Sequence, residues 1–234
     1  DDTRFGQTYS ERARRIGRYF REEYHALRRE RETVHYFREQ LIRNYQYKGP
    51  VLEWYCRIKT RLENNYEDIE QLVPKSGAIL DIGCGYGFLD YMLAWTSANR
   101  HITGIDYDAE KIAVASHNFS KTDALQFHCG DALQFPEASY RAILILDVLH
   151  YLLPEKQEQL LQRCVQQLAP GGTLIVRDGM EDLSKKHRGT VLTEIFSTKI
   201  FGFNKTENQL HFLSDSMLSA LAAQHGLQRQ VIDQ

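Results

Sequence analysis

The sequence predicts an α/β fold, in which a doubly wound, mainly parallel sheet follows an N-terminal helical extension. After the turn VPKSG at 73–77, short apolar segments alternate with amphipathic ones. This alternation is typical of a parallel sheet with helices on both faces. A glycine-rich turn directly after the first apolar segment supports the same fold. The predicted strands are AILDI, HITGID, ALQFHCGD, YRAILILD and GTLIVRD, and the predicted helices between them span 87–97, 108–118 and 155–168.

The helical extension and a pocket-covering helix are predicted for residues 1–70, and the main domain for 71–234. Residues 9–48 contain no Pro and one Gly, and Gly49-Pro50 then predicts a new helix over 51–64. This region indicates an amphipathic appendage packed on the domain or a neighbour, or else a surface that lies against anionic lipid. Its apolar stripes are Ile16, Phe20, Tyr24 and Leu27, and then Val34, Phe37 and Leu41.

Charge and cysteine content narrow the class of protein. Hydrophobic residues make up 42% of the 234, and no run of about 18 apolar residues predicts a spanning helix. Residues 1–48 carry 12 basic and 8 acidic residues, and the remainder carries 17 and 23. The acidic body disfavours a nucleic acid partner. The four cysteines form no CxxC pair and no zinc-type cluster, which predicts no metal and reduced thiols in the cytoplasm.

The stretch ILDIGCGYGFLD at 79–90 contains the glycine-rich turn. A dinucleotide fingerprint, GxGxxG counted from Gly83, would need glycine where Phe88 stands, because the third glycine is Gly87. A triphosphate-binding loop would need GKS or GKT, which the sequence lacks. The turn therefore predicts a nucleotide-like ligand of another kind.

Three aspartates lie at the ends of three of the predicted strands. Asp81 suits an ammonium group, Asp106 can accept both hydroxyls of a ribose, and Asp131 can receive the amino group of adenine. A ligand with an ammonium group, a ribose diol and an adenine but no phosphate is S-adenosyl-L-methionine (SAM). Asp131 remains open to a second interpretation, as the N-cap of a helix.

Residues 78–180 resemble the class I SAM-dependent methyltransferases, whose fold is Rossmann-like. ILDIGCGYG is similar to the first motif of that family, ITGIDYD to its second-strand acidic motif, and CGDALQFP to its adenine-side motif. RAILILDVLHYL resembles its fourth strand and LAPGGTLIVRD its fifth. The resemblance implies a site for the methionine end at Gly83, Cys84, Gly85 and Gly87, a ribose site at Asp106, an adenine site at Tyr107, Asp131 and Ala132, and a pocket floor at Asp147 and Val148. Cys84 is interpreted as a small turn residue, and Tyr107 could instead serve in packing.

The expected activity is methyl transfer from SAM to a small or lipid-like acceptor, with O-methylation favoured. A hydroxyl acceptor must lose its proton, and His150 is the best-placed candidate base, although it could serve only in packing. Asp178 and His187 are weaker candidates. An insert at about 181–210 could form an apolar lid through Leu192, Ile195, Phe196, Ile200, Phe201 and Phe203.

A looser resemblance concerns the first 70 residues, which look like the junction in bacterial proteins that fuse a lipid exporter, an acyltransferase and a methyltransferase. It implies contact of residues 9–48 with a membrane surface or an acyltransferase domain, on the cytoplasmic face. The alternatives are a non-catalytic, SAM-binding docking module and an aminopropyl transferase that uses decarboxylated SAM. HGLQRQVIDQ at the C-terminus predicts a sixth strand, and the antiparallel seventh strand of the family does not follow it.

Overall fold

A computed structural model describes residues 34–62, 66–179 and 211–232. The chain divides between Glu67 and Asp68 into two compact units. The stripe from Ile16 to Leu27, the predicted insert and His187 lie outside the described residues. Within them, no helix has both the length and the apolar character needed to cross a membrane.

The first unit contains two helices that pack against each other, α1 (Val34–Tyr45) and α2 (Pro50–Leu62). Phe37 and Leu41 are buried, as the helical spacing predicts. A short 3-10 turn at 46–48 follows α1, and Gly49 then takes a left-handed φ of 94° before Pro50 begins the next helix. The Gly-Pro signal thus marks the break between the two helices.

The second unit is built on a five-stranded parallel sheet, preceded by α3 (Tyr66–Leu72), which spans the division between the units. The strand order is β3-β2-β1-β4-β5, with every neighbouring pair parallel, which confirms the predicted α/β fold. The strands are β1 (Gly77–Ile82), β2 (Arg100–Asp106), β3 (Leu125–Cys129), β4 (Tyr140–Leu146) and β5 (Leu168–Arg177). The helices after α3 are α4 (Phe88–Thr96), α5 (Ala109–Ser116), α6 (Pro154–Gln166) and α7 (Asp215–Gln224).

Successive side chains of β1 point to opposite faces of the sheet, so residues two positions apart pack on the same face. Leu80 and Ile82 belong to a buried cluster that also contains Leu160 of α6 and Leu221 of α7. Helices α4 and α5 contact β2 and β3. Because the strands are parallel, their carboxyl ends meet at one edge of the sheet, where such folds bind ligands.

The amino edge of the sheet, opposite the carboxyl edge, is stabilised by Arg100 at the start of β2. The side chain of Arg100 is fully buried. Its guanidinium donates to the carbonyls of Val73 at 2.7 Å, Pro74 at 2.8 Å and Leu93 at 2.9 Å, and to Glu70 Oε1 at 3.0 Å. These bonds satisfy a buried charge and tie the end of α3 to α4.

Residues 227–232 do not form the predicted sixth strand, and this prediction is wrong. They leave α7 through Gly226 in an irregular conformation and pair with no strand among the described residues. Arg229 instead bonds Asp215 in the first turn of α7. The apolar residues that suggested a strand, Val231 and Ile232, are exposed. A strand requires a neighbour for its backbone hydrogen bonds, and the described chain provides none here.

Candidate cofactor site and acid–base pair

The glycine turn between β1 and α4 is fixed to the neighbouring strand by backbone bonds. The N–H groups of Gly83 and Cys84 donate to the carbonyl of Ile105 at 2.7 and 3.1 Å. Gly83 has a φ of 81°, and a Cβ there would lie 2.1 Å from Val148 Cγ2. Gly85 has a φ of 58°, and a Cβ there would meet no protein atom within 4 Å. Glycine is therefore required by packing at 83, whereas at 85 it leaves open space beside the backbone.

Asp106, at the end of β2, joins this turn to the start of α5. Its Oδ2 accepts from Gly85 N–H at 2.8 Å, and its Oδ1 accepts from Asp108 N–H at 2.9 Å. The residue is 7% exposed. An ionised carboxylate has about four acceptor positions. The two backbone bonds therefore leave capacity for two further donors, which is what a ribose diol would require.

The loops after β2 and β3 lie side by side, because Asp106 and Cys129 are partners in the parallel register. Tyr107 is half-exposed on the first loop. Asp131 is on the second loop, where its Oδ1 accepts from Leu133 N–H at 2.9 Å and caps a 3-10 turn at 132–134. The N-cap interpretation thus describes the geometry of Asp131, and its Oδ2 stays available to a ligand. Ala132 begins the capped turn and packs against the core.

Asp147, directly after β4, is the one non-glycine residue with positive φ among the described residues, at 57°. Arg177, at the end of β5, forms an ion pair with its carboxylate, with Nε 3.3 Å from Oδ1. A strained backbone conformation at a strand end is typical of a functional site. This partner could not be inferred from the sequence, since the two residues are 30 positions apart and meet only because β4 and β5 are neighbours.

His150 and Asp178 form a buried pair beyond the ends of β4 and β5. His150 Nδ1 lies 2.6 Å from Asp178 Oδ1, and the two side chains are 5% and 0% exposed. The same carboxylate oxygen accepts from Gly179 N–H at 2.8 Å. A carboxylate at Nδ1 fixes the tautomer of the ring, in which Nε2 carries the lone pair that can accept a proton. The structure thus brings together two residues that the sequence presented only as separate candidates.

Beneath the glycine turn, Asp81 of β1 lies beside Asp90, a residue of α4 that sequence reasoning missed. They are 4% and 0% exposed. Burial, and then mutual repulsion, raise the pKa of Asp90 well above its usual value. Burial also raises the pKa of Asp81. Burial and the nearby carboxylates raise the pKa of the Cys84 thiol as well, so Cys84 is a poor nucleophile and suits the role of a turn residue.

The residues predicted for the cofactor therefore lie along the carboxyl edge of β1 to β4. They present open space at Gly85, acceptor capacity at Asp106 and exposed groups at Tyr107 and Asp131. This arrangement fits SAM, which is cationic, carries a ribose diol and ends in adenine.

Comparison with known proteins agrees with this fit. Residues 79–172 match the model of a methyltransferase domain family. The mitochondrial ubiquinone biosynthesis O-methyltransferase of Rattus norvegicus is 30% identical over 68% of this chain and 47% of its own length. The tRNA N(3)-cytidine methyltransferase METTL2 of Gallus gallus is 24% identical over 72% of this chain and 47% of its own. Human N-acetylserotonin methyltransferase, solved with SAM, has the same fold, with a TM-score of 0.52, 22% identity and coverage of 75% of this chain and 50% of its own.

A parallel sheet with its glycine turn and carboxylates at the carboxyl edge defines a Rossmann-like nucleotide-binding domain. The family model and the curated relatives together support a class I SAM-dependent methyltransferase domain with SAM as its cofactor. The chain spans about half the length of the curated relatives it matches.

Proposed function

We propose that the chain transfers the methyl group of SAM to a hydroxyl of a small or lipid-like acceptor. Asp106 would hold the ribose, Tyr107, Asp131 and Ala132 the adenine, and Asp81 with the glycine turn the methionine end, above Asp147 on the pocket floor. SAM supplies a methyl group that is already activated by the sulfonium charge. The residues of the chain must then orient the acceptor, exclude water and take up its proton.

The observation that carries O-methylation is the distance of 2.6 Å between His150 Nδ1 and Asp178 Oδ1. A hydroxyl must lose its proton as it attacks, and a neutral imidazole with an oriented Nε2 is a suitable base at physiological pH. Asp178 would keep the ring in the required tautomer and stabilise the imidazolium that forms. His150 is the catalytic candidate and Asp178 its positioning partner.

The proposed class of methyl acceptor is based on the charge of residues 49–234. Residues 49–234 carry 17 basic and 23 acidic residues, whereas binding to an RNA backbone favours a basic surface. This balance supports a small or lipid-like acceptor over RNA, although two relatives are tRNA methyltransferases. The ubiquinone biosynthesis relative, which is an O-methyltransferase, supports the same choice.

The proposal is tested with labelled SAM and three sets of acceptors: phenols and acyl lipids with a free hydroxyl, amines, and tRNA. We expect methylation in the hydroxyl set. His150→Gln should lower kcat by about a hundredfold or more while cofactor affinity stays within the error of calorimetry. Methylation of amines alone, or full activity in His150→Gln, would contradict O-methylation by this base.

A second candidate is a docking unit, favoured by the exposed face of α2. Val51 and Trp54, one helical turn apart, are 62% and 64% exposed. Co-sedimentation with anionic lipid vesicles tests contact with a membrane. The wild type should sediment and Trp54→Ala should remain in the supernatant, whereas equal sedimentation of both would remove this candidate.

A further inference from the structure

The carboxyl of Asp90 has no role in the site described so far, yet it is placed where an ionised group is costly. It lies in the first turn of α4 and is completely buried. No other residue among those described donates a hydrogen bond to either of its oxygens. Burial of an isolated carboxylate in its ionised form is strongly unfavourable, so such a group takes up a proton instead.

A protonated carboxyl is a hydrogen-bond donor and requires an acceptor. The carboxyl of Asp81 lies within hydrogen-bonding reach of Asp90. Of the two residues, Asp81 ionises more readily. Burial raises its pKa to about 7, but the hydrogen bond from Asp90 and the positive charge of Arg177 oppose that rise, and the residue keeps a slight exposure. The other charged or titratable neighbours of the pair are Asp106 on β2 and Cys84 in the turn. The charge of Asp106 adds to the repulsion that keeps one proton on the pair, whereas the Cys84 thiol is neutral.

We propose that Asp90 is a positioning residue of the cofactor site: in its protonated form it donates a hydrogen bond to Asp81 and holds that carboxylate, as a single negative charge, beneath the glycine turn. One negative charge matches the one ammonium group of the methionine end. Two charges would repel each other and Asp106, and no charge would leave the ammonium without its counter-ion. The inference rests on the cofactor assignment and is independent of the acceptor.

The ordinary interpretation of an aspartate in a first helical turn is an ionised group that stabilises the helix N-terminus. That interpretation expects exposure to solvent, which Asp90 lacks entirely. It also predicts that Asp90→Asn destabilises the protein most at high pH, where the lost charge would be fully present.

Two variants separate these interpretations. In Asp90→Asn the amide can still donate to Asp81 but cannot ionise, and in Asp90→Leu the shape is kept and the donor is lost. Calorimetric titration of the full chain with SAM and S-adenosylhomocysteine at neutral pH should show Asp90→Asn within about threefold of the wild type and Asp90→Leu weaker by about tenfold. Equal loss in both variants, or no loss in Asp90→Leu, overturns the proposal.

Measurements on the unliganded protein can distinguish the proposed role of Asp90 from a merely structural one. A raised carboxyl pKa contributes stability that is complete below the pKa of the unfolded state and is lost as pH rises towards the folded-state pKa. The melting temperature of the wild type should therefore fall relative to that of Asp90→Asn as pH rises. If the difference in melting temperature between the wild type and Asp90→Asn does not change with pH, or changes in the opposite direction, the proposal is refuted.

If Asp90→Leu does not fold, the infrared spectrum of the wild type tests whether Asp90 is protonated. A carbonyl band of a protonated, buried carboxyl should be present at neutral pH and absent from Asp90→Asn, and its absence from the wild type would refute the proposal. A wild-type chain that binds no cofactor also overturns it, together with the cofactor assignment. Failure to methylate any acceptor would contradict only the proposed function.

Discussion

Alanine substitutions at Gly83 and Gly85 should separate the two reasons for glycine in the turn. Both positions have left-handed φ, at 81° and 58°. Alanine in such a conformation costs about 1–2 kcal/mol of folding free energy. At Gly85 this is the whole expected cost, because its Cβ would meet no protein atom. At Gly83 the Cβ would come within 2.1 Å of Val148, and overpacking adds about 1–3 kcal/mol.

Gly85→Ala is therefore expected to melt only about 2–8 °C below the wild type, and Gly83→Ala to melt markedly lower. Combining Gly83→Ala with Val148→Ala should recover part of the loss, because it removes the methyl group that clashes. Cofactor affinity should behave differently. Gly85→Ala should lose at least about tenfold, since its methyl group would occupy the space left for the ligand.

The assays are thermal unfolding by circular dichroism and calorimetric titration with SAM. If Gly85→Ala binds SAM as tightly as the wild type, the open space beside residue 85 is not part of the cofactor site. If the two single variants melt alike, the contact with Val148 does not decide the identity of residue 83.

Three further expectations concern residues on the two edges of the sheet. Asp106→Ala should reduce SAM affinity by about tenfold or more, because it removes the ribose acceptor and the bond to Gly85 N–H, and unchanged binding in calorimetry would contradict the ribose assignment. Arg100→Met should destabilise the protein by about 3–5 kcal/mol in urea unfolding, because Glu70 and three carbonyls lose a buried donor. A decrease in the free energy of unfolding below about 1 kcal/mol would mean that these hydrogen bonds contribute little. Cys84→Ala should keep methyl transfer within about threefold in the labelled-SAM assay, because its thiol is protonated, and complete loss of activity would reopen a nucleophilic role.

The positions of the five strands could be predicted because each is a short apolar run that ends at a turn signal. The strand that became β1, predicted as AILDI, differs by one residue from the observed Gly77–Ile82. The bounds of the helices could also be predicted from turn signals, because Gly87 lies before α4 and Pro154 is at the start of α6. The sixth strand was predicted wrongly because a few apolar residues show only that a segment could pair, not that a partner strand is beside it.

The pairs of the site could not be predicted, because each depends on which strands are neighbours. Asp178 follows β5 and His150 follows β4, so their contact requires the β4–β5 pairing. Asp90 was missed for a different reason. An acidic residue in a first helical turn is common at exposed positions, and only the packing of α4 shows that this one is buried.

The carboxyl edge combines a rigid frame with a concentration of negative charge. Its backbone donors are committed to Ile105 and Asp106, so the turn does not need to reorganise when a ligand binds. Asp81, Asp106 and Asp131 all face this edge, and the Arg177 cation nearby is already paired with Asp147. An acidic edge of this kind favours a cationic cofactor, and it favours the product less, because the sulfonium charge is lost when the methyl group leaves. If these carboxylates hold SAM as proposed, they would therefore also help to release S-adenosylhomocysteine.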